Sequence, residues 1–269
     1  MSERYAKYKA FEIDFPAPRI LRITLNKPET YNSLDADGHR EMTYIWRDID
    51  DDEDISAVIL TAKGKAFSSG GDFGMIEKNM NDYQARHRAW KEARDLVYNI
   101  IDCNKPIVSA INGVAVGAGL VAALLADISI AARSARIIDG HTRLGVAAGD
   151  HAVINWPLLC GMAKAKYLLM LCEPVDGTEA ERIGLVSMVV EDDELQAKAM
   201  EIAERLVAGA PSAIRWTKYA LNNWYRAMGP SFDASLSMEM LGFAGQEVRE
   251  GLASHLEKRK PAFDPESPL

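Results

Sequence analysis

The sequence predicts a mixed α/β core followed by an all-helical tail, with the change falling near residue 195. Three observations point there. Runs of five or six mostly apolar residues, ILRITL at 20–25, AVILT at 57–61 and IVSAI at 107–111, each end at a turn signal, as strands do. Longer stretches with helical spacing lie between them. Beyond residue 193 no strand-like run occurs, and four helical segments follow one another. The expected division is 1–195 for the α/β core and 196–269 for a helical region.

Taken in order, residues 20–25 alternate like a half-buried strand and stop at Asn26-Lys27-Pro28, so 29–33 is expected as loop. Asp35 can cap a helix in which Met42, Ile45, Trp46 and Ile49 share a face, and the acidic run 50–54 closes it as a solvated loop. The strand at 57–61 leads into Lys65-Ala66-Phe67-Ser68-Ser69-Gly70-Gly71-Asp72, where paired glycines permit positive φ and close approach of a ligand. Residues 73–94 are polar, lack a clean period and read as a flap before a helix near 83–101. Helical spacing at 152–171 is interrupted by Pro157 and Gly161. Thr178-Glu179-Ala180-Glu181 has the form of a capping box, and 185–190 reads as a further strand. The tail's helices are expected at 194–207, 212–227, 231–243 and 247–258.

Composition narrows the function. A 48% apolar content over 269 residues supplies a large core. The net charge of −8, with no basic block, argues against a nucleic-acid surface and against docking to anionic membrane, so small molecules are the expected partners. No apolar run approaches the roughly 20 residues needed to span a bilayer, and the first residues lack the apolar centre of a signal peptide, which places the chain in the cytoplasm. Cys103, Cys160 and Cys172 are odd in number and widely spaced. They read as buried free thiols, with neither a disulfide framework nor a metal cluster.

The stretch 105–150 organises the rest. After the strand at 107–111 come Gly113, Gly117 and Gly119, then an apolar run at 120–126 too rich in small residues for a surface helix. A buried helix whose N-terminus opens into a pocket fits that pattern. Such an end offers unpaired N–H groups and the positive pole of the helix dipole, which suit an oxygen acquiring negative charge.

The segments ITLNKPETYNSL, AFSSGGDF, KPIVSAINGVAVGAG with its trailing Asp127, EAERIGLVSMVV and EGLASHLEKRKPAF resemble the crotonase, or enoyl-CoA hydratase/isomerase, superfamily, in family order over nearly the whole chain. The resemblance implies a spiral of ββα units with a C-terminal helical trimerisation region, assembled as a homotrimer or a dimer of trimers. It also implies an acyl-CoA thioester as substrate, with no prosthetic group. The thioester oxygen would receive the N–H groups of Gly71 and Ala118. Coenzyme A would lie along Tyr31, Asn32, Ser33 and Leu34 and along Ala66, Phe67, Ser68 and Asp72. Lys260 and Phe263 resemble tail residues that approach it; otherwise they are a solvated lysine and a packed aromatic.

The two glutamates of a family hydratase would fall at Val121 and His141, and neither is a glutamate here. What stands instead is His141 with Asp150 nine residues on, and His151 and Trp156 close behind. That pattern resembles the superfamily branch typified by 6-oxocamphor hydrolase, which cleaves a carbon–carbon bond of β-diketones. A carboxylate can fix an imidazole tautomer and raise its basicity while the ring takes a proton from water. His39 falls near a histidine of that branch, though Leu34 and Ala118 replace an expected tryptophan and a further histidine. His141 as a turn residue and Asp150 as a helix N-cap are the structural alternatives. Met75, Ile76 and Met80 line an acyl pocket or anchor the flap; Val121, His39 and His151 are further candidates for the substrate pocket, the two histidines otherwise structural, and Trp156 is a pocket wall or a packing residue. Three functions stay open: hydrolytic cleavage of a β-dicarbonyl, hydration or double-bond isomerisation with non-standard acid–base residues, and acyl-CoA binding without catalysis.

Overall fold

The structure, a computed structural model, describes residues 3–266. Strands and helices follow in the order β1 (Phe11–Ala17), β2 (Ile20–Leu25), α1 (Ala36–Asp50), β3 (Ala57–Ala62), β4 (Ala66–Ser69), α2 (Phe73–Asn81) and α3 (Tyr83–Asp102). Next come β5 (Ile107–Ile111), β6 (Val114–Val116), α4 (Gly117–Leu124), β7 (Ile128–Ala132), β8 (Arg136–Ile137), α5 (His141–Leu144), α6 (Ala152–Cys160) and α7 (Met162–Leu171). The chain ends with β9 (Val175–Asp176), α8 (Gly177–Arg182), β10 (Met188–Val190), α9 (Leu195–Ala208), α10 (Pro211–Ala227), α11 (Gly229–Gly242) and α12 (Glu247–Leu256).

Two sheets result. The larger runs β1-β2-β3-β5-β7-β10 and the smaller β4-β6-β8-β9. In the larger, β1 and β2 are antiparallel and the remaining pairs parallel. Successive pairs β3–β4, β5–β6 and β7–β8 each place one strand in either sheet before the chain enters a helix, which is a repeated ββα unit. All six residues of β3 and all five of β5 are buried, as expected for parallel strands covered on both faces. Helix α9 of the tail packs against β3 and β5. Trp46, Phe67, Trp156 and Phe232 are fully buried in one main core.

Several expectations change. Asp35 does cap α1, accepting from the Gly38 N–H at 2.8 Å. The first strand, β1, was not anticipated, although Phe11, Ile13 and Phe15 alternate with polar residues. The flap expected at 73–94 is helix α2 and the start of α3, because Asp72 and Asp82 each accept from a first-turn N–H and supply the caps. The acidic run is not wholly solvated: Asp52 is buried and accepts from the Tyr5 hydroxyl at 2.8 Å. Pro157 lies inside α6, and the interruption falls at Gly161 alone. Asp176, not Thr178, caps α8. Only Met188–Val190 of the strand expected at 185–190 pairs, with β7. Cys103 is buried, whereas Cys160 and Cys172 are half-buried. Among the described residues no helix is long and apolar enough to cross a membrane.

Candidate active site

Two loops meet at glycines. Gly70 and Gly117 both have positive φ, +91° and +59°, and a Cβ on Gly117 would stand 2.8 Å from the Gly70 Cα. Any side chain at Gly117 would push the loops apart. Ser68 pins the first loop from beneath: its hydroxyl donates to the Asn32 carbonyl at 3.0 Å and accepts from the Gly70 N–H at 3.2 Å. The second loop becomes the first turn of α4, whose N-cap Val116 provides no side-chain bond. First-turn N–H groups have no intrahelical acceptor. Among the described residues neither the Gly71 nor the Ala118 N–H meets a protein acceptor, and both residues line a cavity of about 440 Å³.

The same cavity holds a histidine ringed by carboxylates. Helix α5 starts at His141, whose Nδ1 lies 3.0 Å from Asp139 Oδ1. Its Nε2 lies 3.7 Å from Asp150 Oδ2 and 3.7 Å from Glu239 Oε1. Asp150 is held by His151, with Nδ1 at 2.6 Å from Oδ1. Glu239 arrives from α11, far along the chain, because Gly149 lets that helix close in: a Cβ there would lie 2.5 Å from the Glu239 Cβ and 2.6 Å from the Ser235 carbonyl oxygen. Asp139, Asp150, His151 and Glu239 are all at most 8% exposed.

Charge is therefore concentrated where water is scarce. Burial by itself would favour neutral His141, but Asp139, Asp150 and Glu239 outweigh it and raise the imidazole pKa well above its ordinary value. Burial also works against ionised Asp150, yet His151 and His141 hold its carboxyl well below the usual range. Glu239 goes the other way. Burial, with Asp150 and Asp139 adding repulsion against the pull of His141, pushes it up to about 8. At neutral pH Asp150 is ionised and Glu239 keeps its proton, and the surrounding carboxylates make the His141 imidazole more basic than a free one.

Asp139, Asp150 and His151 each offer a ligand atom within 4.8 Å of the others. His151 Nδ1 takes up Asp150 Oδ1 at 2.6 Å and His141 Nδ1 lies 3.0 Å from Asp139 Oδ1, while among the described residues Asp139 Oδ2 and His151 Nε2 have no hydrogen-bond partner.

Of the residues singled out from sequence, Gly71, Ala118, His141, Asp150, His39, Met75 and Ile76 line the cavity together. His151 does not reach it and acts from behind Asp150. Val121 and Trp156 are not pocket residues: they are 1% and 0% exposed and pack in the main core. Asp150 does not cap α6, whose N-cap is His151 without a side-chain bond. Along the expected coenzyme A loop, Asn32 is buried and consumed by structure, accepting from the Lys27 N–H and donating to the Lys63 and Ala66 carbonyls. Leu34, Ala66, Phe67 and Ser68 are likewise buried, Asp72 caps α2, and Ser33 is half-buried. Tyr31, Lys260 and Phe263 are exposed. Asp139 and Glu239 went unread in the sequence. Asp139, two residues before His141, was open to inspection; Glu239 carried no local signal.

The profile of the enoyl-CoA hydratase/isomerase family matches residues 17–266. The chain belongs to that family. Among curated relatives, a short-chain-enoyl-CoA hydratase of Clostridium acetobutylicum is 34% identical over 248 residues, covering 90% of this chain and 93% of its own. The crystal structure of an enoyl-CoA hydratase/isomerase from Mycobacterium paratuberculosis superposes with a TM-score of 0.87 at 30% identity, over 91% of this chain and 98% of that one. A β-diketone hydrolase from the cyanobacterium Anabaena, bound to (S)-3-oxocyclohexyl acetic acid, superposes with a TM-score of 0.82 at 25% identity, over 91% and 98%. Within the enoyl-CoA hydratase/isomerase fold, this chain has its two glycine loops meeting at Gly70 and Gly117 and places His141, Asp139, Asp150 and Glu239 beside them.

Proposed function

We propose that this enzyme hydrolyses a carbon–carbon bond of a β-dicarbonyl substrate presented as an acyl-CoA thioester, with His141 as its acid–base group and Asp139, Asp150 and Glu239 setting the charge around it. The observation that carries the reading is one imidazole between buried carboxylates, in the cavity that also holds the Gly71 and Ala118 N–H groups. Water bound beside Asp150 attacks a carbonyl carbon and forms the new C–O bond. The bond to the adjacent carbon breaks, and its electron pair becomes an enolate whose oxygen accepts from the two N–H groups. His141 takes the water proton, its imidazolium held by Asp139 and Asp150, and delivers that proton to the enolate carbon, which restores the neutral ring. The products are an acid and a ketone or thioester, so atoms and charge balance. The Anabaena relative, a β-diketone hydrolase bound to a keto acid, supports this reading.

Coenzyme A contacts are assigned to the backbone of residues 31–34 and 66–68 and to Tyr31, Lys260 and Phe263 at the surface. A homotrimer or dimer of trimers is proposed on the exposed face of α10, where Trp216, Leu221 and Trp224 are 72%, 60% and 67% exposed. The division at residue 195 is organisational only, since Glu239 of the tail belongs to the site. Hydration of an enoyl-CoA is the second reading, favoured by the 34% identity to a short-chain-enoyl-CoA hydratase.

The test is an assay of acetoacetyl-CoA, crotonyl-CoA and cyclic 1,3-diketones with wild type, His141→Ala and Asp150→Asn. Cleavage of a β-dicarbonyl, lost in both variants, supports the reading. Turnover of crotonyl-CoA alone, or full activity in both variants, would overturn it.

A further inference from the structure

The catalytic cavity has a neighbour. A second chamber of about 390 Å³ lies between the start of α1, helix α2 and the start of α3. His39, Met75, Asn79 and Ala89 line both spaces, so these residues form the partition. The partition is polar at two points. His39 uses Nδ1 toward Glu92 at 3.3 Å, and among the described residues its other ring nitrogen has no protein hydrogen-bond partner. Asn79 is 5% exposed, lines both spaces, and among the described residues its side-chain amide makes no hydrogen bond to protein, so its donors are free to meet a ligand there.

The chamber's charges are unequally committed. Asp35 accepts from the Gly38 N–H and from Lys27, Asp72 from the Met75 N–H, and Glu92 faces His39 and Arg40. Every carboxylate there is engaged. Lys78 and Arg88 also line the chamber, and among the described residues neither has a carboxylate within 4.0 Å. Two cations without a carboxylate partner and the free Asn79 amide make a receptor for anionic oxygen.

We propose that this second chamber binds an anionic group at the end of the substrate remote from the bond that breaks, with Asn79 and the cations Lys78 and Arg88 as its donors. The proposal deepens the functional reading above and rests on it for the term substrate. The anion is a carboxylate on the acyl portion or a phosphate of coenzyme A, both of which present the same oxygens.

Binding of unreactive acids separates this proposal from the chemistry. Calorimetric titrations would compare linear dicarboxylates of five to eight carbons with monocarboxylates of equal length, and with free coenzyme A, on wild type, N79A and the double variant K78A/R88A. Lys78 and Arg88 are exposed, so the double variant leaves the fold intact. At least one dicarboxylate, or coenzyme A, is expected to lose about tenfold or more in affinity in K78A/R88A, the effect of removing a charge-assisted hydrogen bond, while monocarboxylates are unchanged. Loss for dicarboxylates assigns the anion to the acyl portion, and loss for coenzyme A assigns it to phosphate. Equal affinities in wild type and K78A/R88A for every probe overturn the proposal, whatever the turnover assay shows. Failure of the turnover assay with the binding loss intact would retire the hydrolase reading and keep the anion site.

Discussion

Glu239 Oε1, on a helix of the C-terminal tail, stands 3.7 Å from His141 Nε2 on a short helix of the core. The two cannot be treated as independent acids. Asp139 and Asp150 are also close to the ring, and an ionised Glu239 would be poorly solvated and repelled by their oxygens. Glu239 accordingly keeps its proton up to about pH 8.

That retained proton has a stability signature. The folded pKa of Glu239 is raised from 4.5 to about 8, so the group contributes fully below 4.5, and its contribution is lost as pH rises toward about 8. Glu239→Gln mimics the protonated form at every pH. Wild type should therefore lose melting temperature across this window by more than Glu239→Gln does, as followed by circular dichroism at matched ionic strength. An apparent ionisation near 8 in the pH–rate profile should also vanish in the variant. Parallel curves for the two proteins would mean that Glu239 is ionised throughout.

Asp150→Asn tests the other partner. Asp150 is one of the charges that raise His141, and its own oxygen is held by His151 at 2.6 Å. Removing the charge should lower the His141 pKa, read from its imidazole resonances by NMR titration. Activity should fall by roughly 10²–10⁴, the usual worth of a positioned acid–base group. An unshifted His141 would show that the 3.7 Å separation carries no coupling.

How much of this was legible follows from where each signal is stored. Strands β3 and β5 announce themselves within five or six residues, because a run buried in a parallel sheet must be apolar nearly along its whole length, and β2 does so by the alternation of a half-buried strand. Asp35 announces α1 because capping is local. His141 and Asp150 were legible as a spacing, being nine residues apart. Glu239 was not, because it reaches the site only after α11 docks, and nothing in SLSMEML distinguishes it from a solvated residue. Trp156 and Val121 were misplaced for the converse reason. Closeness in sequence to a catalytic residue does not say which face of a helix turns inward, and both turned into the core.

Gly149→Ala should separate site from scaffold. The added methyl would meet Glu239 and the Ser235 carbonyl, so α11 has to move and carry Glu239 with it. A loss of about 1–3 kcal/mol in stability is expected from such overpacking. The activity loss should exceed it, because Glu239 is displaced from His141. A useful contrast is Gly161→Ala, where a Cβ would meet nothing within 4 Å and the cost is confined to backbone strain. Chemical denaturation and kcat measured on both variants distinguish the two effects. Equal kcat in the two would show that α11 relaxes without disturbing the site.

The oxyanion assignment can be tested by deleting an N–H without deleting a side chain. Ala118 is the second residue of α4, a position where proline is tolerated because its missing N–H has no intrahelical acceptor to lose. Gly117, the preceding residue, lacks the Cβ that would otherwise crowd the proline ring. Ala118→Pro should therefore keep most of the melting temperature while lowering kcat by roughly 10²–10³, the effect of removing one oxyanion donor. Ala118→Ser retains the N–H and changes only bulk and polarity, so a small loss there assigns the larger loss in Ala118→Pro to the missing donor. Should both variants lose activity equally, crowding of the cavity explains the result. Should Ala118→Pro retain full kcat, the negative charge develops elsewhere, and the end of α4 serves only to close the cavity wall.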